Sequence, residues 1–241
     1  AAKGFEDAAF ADGAFDLAIG NPPFGAMPIH GGLKKHLSGM KIHNYIISKS
    51  GEHLRPGGVM MMVVTHRFLD TENAEARSHL AKQFKFLGAV RLPNDAFKKN
   101  AGTEVVTDII MLQKLRPGEE ADMGAAWLDV NGSIDVDGNA VRVNRYYEEH
   151  PSHILGRSAT DGKMYARGAG NEYTVHSDGR DVAKSIDDLI ATDFVNLSGI
   201  LTPTNADLNL GAAMLERSSL PIGGLLLDAN GRVLRREMND D

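Results

Sequence analysis

Cysteine is absent from the 241 residues, which removes disulfides, a cysteine nucleophile and thiolate metal sites, and fits a cytoplasmic protein. No apolar run approaches the ~20 residues that a membrane helix needs, and no signal peptide is expected at the start of the chain. There is no basic excess either. Lysine and arginine number 26 against 32 aspartates and glutamates, a net charge of -6, which argues against a strong autonomous nucleic-acid binder. A local basic patch remains compatible with that balance. The nine histidines show no ligand spacing on one predicted helix, so no metal site is expected. Ser158, His153 and Asp161 are too loosely placed for a hydrolytic triad. Internal repeats and low-complexity tracts are missing as well.

What is present is an alternation. Phe15–Gly20 reads as a short buried strand, and Asn44–Leu54 has helical spacing stopped by Arg55-Pro56-Gly57-Gly58. Strands are predicted at Val59–Val64, Phe86–Leu92 and Val105–Leu115, with a helix over Ala74–Phe84. Apolar strands separated by helices predict an α/β class with a mostly parallel sheet, its last two strands forming an antiparallel edge pair. The segment Gly31–Lys41 reads as a mobile loop. The character changes after Pro117, giving a division into residues 1–118 and a smaller α+β extension, 119–241. Turn signals at Asn131-Gly132, Asp137-Gly138 and Asn230-Gly231 predict hairpins there, and Asn144–His150 and Asp181–Ala191 predict helices.

The first strand runs into Asn21-Pro22-Pro23-Phe24. Two consecutive prolines fix the backbone and remove two amide donors, leaving carbonyls free to face a ligand. Ligands of open α/β sheets bind beyond the carboxyl ends of the strands, where this corner lies. Asn21 offers a side-chain carbonyl, Pro22 a rigid main-chain carbonyl and Phe24 a flat apolar face. A planar heterocycle with an exocyclic amino group, such as adenine, fits these three.

IGNPPFG, residues 19–25, resembles motif IV of the amino-directed DNA methyltransferases, and Asn with Phe is most similar to their adenine-N6 branch. LRPGGVMMMVV resembles the turn and strand that follow in that family. RLPNDAFKKNAGTEVVTDIIMLQK is similar to motif VIII of type I and IIG-like enzymes, in which Phe97 would help hold a flipped base. GFEDAAF resembles motif III, whose acid contacts the adenine amino group of S-adenosylmethionine; Asp7 would be that residue, with Glu6 the alternative. The segments RVNRYYEEHPSHILG and MYARGAGNEYTV are similar to those that follow the methylase domain in phage- and plasmid-encoded methyltransferase–helicase proteins.

The resemblance implies a partial Rossmann-like methyltransferase sheet and methyl transfer from S-adenosylmethionine to the N6 of a flipped adenine in DNA. Asn21, Pro22, Pro23 and Phe24 would be catalytic, with Asn21 also beside the cofactor, and Phe24 and Phe97 would take over the stacking of the flipped base. Lys34, Lys35, Lys41 and His43, and Lys98 with Lys99, would meet DNA phosphates. A complete enzyme also needs a Gly-rich cofactor loop and an acid for the ribose hydroxyls. Neither precedes Asp7, and the nearest later match, NLGAAMLERS, is poor. The expectation is therefore the catalytic half of a larger enzyme, completed by an amino-terminal half or a second copy, with a helicase region in the same polypeptide and no membrane partner. The same chemistry on a protein glutamine or RNA adenine, and an inactive interaction scaffold, stand as alternatives.

Overall fold

The computed structural model describes residues 4–25, 27–98, 104–162, 172–194, 197, 200, 225–227 and 233–235. Strand β1 (Phe15–Gly20) leads to helix α1 (Ile42–His53) and strand β2 (Leu54–Thr65). Helices α2 (Arg67–Asp70) and α3 (Glu75–Ala81) precede strands β3 (Phe84–Leu92) and β4 (Thr107–Lys114). The fold is α/β. These four strands form one sheet in the order β1-β2-β4-β3, so β4 inserts between its predecessors and β1 stands at an edge among the described residues.

Each strand expected from an apolar run is present, but β1 is not the buried strand expected: none of its residues is buried, and Asp16, Leu17 and Ile19 are exposed, as its edge position allows. β2 begins earlier than the sequence pattern indicates. The Pro-Gly-Gly turn does not stop α1 from outside; it lies within the strand. The helix ends at His53, where the Leu54 amide bonds back to the Gly51 carbonyl. Glycine makes the early pairing possible. A Cβ on Gly58 would sit 3.1 Å from the Asp16 main-chain oxygen and 3.2 Å from that of Phe15, so only a bare Cα lets the two backbones approach this closely.

Further along, β5 (Gly132–Val136) and β6 (Asn139–Val143) form an antiparallel hairpin. It turns at Asp137 and Gly138, both with positive φ (51° and 81°), as the Asp-Gly signal predicts. Asn131-Gly132 is not a second hairpin turn; Gly132 opens β5. Helix α4 (Arg145–Glu149) is capped by Asn144, whose side chain accepts from the Tyr146 amide at 3.0 Å. Strands β7 (Arg157–Gly162) and β8 (Glu172–His176) pair antiparallel, and helix α5 (Val182–Thr192) starts at an Asp181 cap. A last antiparallel pair, β9 (Leu225–Leu227) and β10 (Val233–Arg235), flanks the expected Asn230-Gly231 turn, which lies outside the described residues.

The chain divides into two compact units, residues 1–60 with 113–119 and 199–241, and residues 61–112 with 120–198. In the first, Leu37, Tyr45, Ile47 and Leu54 are buried almost completely. In the second, Val90, Leu92, Met111, Leu155, Leu189 and Phe194 form a core cluster on which α5 lays Val182 and Ile186. That spacing of four and three puts three α5 side chains on one face. No helix among the described residues is long and apolar enough to cross a membrane.

Candidate functional site

The Asn21–Phe24 corner leaves β1 directly. Pro22 is buried and anchors it, whereas Asn21 and Pro23 are exposed and Phe24 is 39% exposed. The Phe24 ring meets His43 of α1 edge to face, with centroids 5.9 Å apart at 69°. His43 is not a loop cation, as its position among lysines suggests. It is 8% exposed, and burial lowers its pKa below the ordinary histidine value, so the neutral ring supports Phe24 from beneath. A Cβ on Gly25 would come within 3.0 Å of Ile42, which keeps the exit of the corner tight against the start of α1.

The following segment is tied down rather than free. Ile42 N donates to Met27 O at 2.8 Å, Ile29 N to Met40 O at 2.9 Å and Gly39 N to Ile29 O at 2.7 Å, closing its base. Leu37 is fully buried and serves as its anchor. Lys34 reaches Asp12 at 2.6 Å and Glu52 at 2.9 Å, and His36 pairs with Glu52. Burial alone would pull the Lys34 ammonium down; the two carboxylates outweigh it and hold the pKa above its ordinary value. Of the lysines expected near phosphates, Lys34 is thus occupied by carboxylates. Lys35 and Lys41 are exposed, Lys98 pairs with Glu104, and Lys99 lies outside the described residues.

The acidic pair expected at a cofactor lies on a short 3-10 turn, Phe5–Asp7. Asp7 is exposed, whereas the Glu6 carboxylate folds back over Gly4 and takes the place a Cβ there would occupy. Asp7 is therefore the more available acid. Phe97 is half-buried and packs on the core cluster of the second unit.

Two features were not legible as functional groups in the sequence. Lys49 on α1 carries a fully buried ammonium that touches the acidic turn. Arg91 and Asp108, the latter inside the TDII run, form a buried ion pair. The only sequence signal was a charge within an otherwise apolar pattern.

Residues 1–97 match the Eco57I restriction-modification methylase family. This match spans the Asn-Pro-Pro-Phe corner and the acidic turn, and it bears out the resemblance to restriction-modification methyltransferases. Defense against restriction protein B of Escherichia phage P1 is 31% identical over 111 residues, covering 45% of this chain and 5% of the phage protein. Among solved structures, a chain of a type I restriction-modification system is 25% identical, with a TM-score of 0.31 over 42% of this chain and 21% of its own. The M protein of the type I restriction enzyme EcoKI is 15% identical, with a TM-score of 0.34 over 86% of this chain and 53% of its own. The chain thus spans about one twentieth of the phage relative.

Proposed function

We propose that the chain carries the base-binding and catalytic part of an S-adenosylmethionine-dependent DNA methyltransferase of restriction-modification type, acting on the N6 amino group of a flipped adenine. The observation that carries this reading is the family match over residues 1–97, coinciding with an exposed Asn21 on a rigid Pro-Pro corner at the end of a strand.

The N6 lone pair of adenine is delocalised into the ring and attacks poorly. Asn21 Oδ1 and the Pro22 carbonyl accept the two N6–H hydrogens, drawing the nitrogen towards tetrahedral geometry and stabilising the positive charge that develops on it. Pro22 is locked by its ring and by burial, so this acceptor needs little reorganisation. Phe24, held by the neutral His43, stacks on the base and stands in for the neighbours it leaves behind in the duplex. When bound, S-adenosylmethionine supplies the methyl group, so the chain needs no nucleophile of its own. Asp7, exposed on its turn, fits the acceptor role for the cofactor's adenine amino group. The exposed Lys35 and Lys41 face DNA phosphates.

A cofactor loop is supplied from outside these residues, by an amino-terminal segment or a second copy. The edge position of β1, with Leu17 at 42% and Ile19 at 68% exposure, supports a complementary strand there. A helicase region in the same polypeptide is part of this reading through the resemblance of the RVNRYYEEHPSHILG and MYARGAGNEYTV segments to methyltransferase–helicase proteins.

The test is transfer of labelled methyl groups to duplex DNA, protein and RNA by the chain reconstituted with a cofactor-loop segment. Labelling of DNA adenine N6 that Asn21→Ala abolishes supports the reading. Labelling of glutamine or RNA, or labelling of DNA that ignores Asn21→Ala, overturns it.

A further inference from the structure

Helix α1 sends one lysine inwards. Lys49 is fully buried, and its Nζ lies 2.6 Å from Phe5 O, 2.9 Å from Glu6 O and 3.0 Å from Ala8 O. An ammonium has three hydrogens, and each has an acceptor here. The three carbonyls belong to one stretch of four residues, the turn that carries Glu6 and Asp7. Besides Lys49, the turn is held by the Leu33 amide, which donates to Glu6 O at 3.1 Å, and by the Phe5 ring, tilted against Phe10 at 6.5 Å. It is three residues long and no side chain caps it. Its own amides make two hydrogen bonds, Asp7 N to Gly4 O at 3.1 Å and Ala8 N to Phe5 O at 3.2 Å. One 3-10 turn does not keep its shape in water unaided.

Carbonyls that point inward at a common centre repel one another unless a cation occupies it. Lys49 is that cation, and its position is fixed by a helix that also places Tyr45 and His43. Burial, aided by Lys34, lowers the pKa of the ammonium, in keeping with a group taken out of water for the sake of its three acceptors.

We propose that Lys49 is the positioning residue of the acidic turn, converging three main-chain carbonyls on one ammonium so that Asp7 is presented to the cofactor. The proposal deepens the methyltransferase reading and rests on it for the identity of the ligand. The same helix then supports both sides of the reaction: His43 under the base-stacking ring and Lys49 under the acid.

A cavity of about 300 Å³ adjoins Lys49, with Ala8, Phe10 and His53 among its walls. It offers a small amine a route to the space that truncation would open. The first measurement is amide hydrogen exchange on the 241-residue chain with Lys49→Ala. Faster exchange confined to Asp7, Ala8 and Leu33, whose amide donates to Glu6 O, and restored by butylammonium but not by butanol, supports the proposal. Unchanged exchange at those amides overturns it. So does acceleration throughout the chain that no amine reverses, because that is a structural lysine only.

The second measurement is methyl transfer by the reconstituted enzyme. Lys49→Ala is expected to raise KM for S-adenosylmethionine at least about tenfold while kcat changes far less. An unchanged KM with locally loosened exchange overturns the presentation of Asp7. Failure of the methyltransferase reading is recognised separately, because the unsubstituted protein then transfers nothing while the exchange result still decides what Lys49 holds.

Discussion

Arg91 and Asp108 face each other with no exposed surface, Nε to Oδ1 at 2.7 Å and Nη2 to Oδ2 at 2.9 Å. Asp70 adds a second carboxylate at 2.9 Å, and the Tyr147 ring lies 4.2 Å below the guanidinium. The fork geometry satisfies both carboxylate oxygens, and burial is offset by paired charge. Asp108→Ala would leave a buried guanidinium with much of its compensation gone. A loss of about 3–5 kcal/mol in urea unfolding is expected, against a much smaller loss for an Arg91→Met, Asp108→Leu double variant. A double variant as unstable as the single one would show that packing, not charge, dominates there.

Asn21→Ala removes an exposed amide that no described core contact needs. The melting temperature should stay near that of the unsubstituted chain, while kcat of the reconstituted enzyme falls about 10²–10³-fold. A parallel fall in both quantities would place Asn21 in the structure of the corner instead of its chemistry.

The outer face of β1 supports association. Leu17 and Ile19 alternate along an edge strand and are exposed together, a surface that invites pairing. Ile19→Lys should abolish concentration-dependent association of the isolated chain in analytical ultracentrifugation without altering its circular dichroism. Association that survives the charge would move the contact away from β1.

Acid should destabilise the fold early. Burial lowers the pKa values of His43, His53, His66 and His153, so the folded state favours their neutral rings. The unfolded chain therefore binds more protons just below the ordinary histidine value of about 6.5. Stability is full above that pH and falls as pH drops from about 6.5 through the lowered values. Urea midpoints between pH 7.5 and 5 read this directly. A midpoint that rises on acidification would contradict neutral burial.

How much of this was legible before the fold was known differs from residue to residue. Continuous apolar runs were enough to locate β3 and β4, because a strand buried on both faces needs little else. The run of β1 located it as well, but not its exposure at the sheet edge, which depends on strand order. Asp137-Gly138 marked its hairpin through local backbone preference alone. The Asn21–Phe24 corner was legible for the same reason, since two prolines dictate conformation regardless of surroundings. His43 was misread as a loop cation because neighbouring lysines suggested a solvated face. Its burial depends on where Phe24 lands, and no short-range pattern records that. The Pro-Gly-Gly segment likewise joins a strand only because β1 comes close enough to need Gly58.

The sequence by itself determined the class of the fold and the rigid corner, both written in local preferences within a few residues. The tertiary structure alone decided that β4 inserts between β2 and β3, that Arg91 meets Asp108, and that Lys49 gathers carbonyls from 41 to 44 residues earlier in the chain. The reason is physical. A buried charge is tolerated only with partners, and those partners are chosen by packing in three dimensions, which the order of residues along the chain does not display.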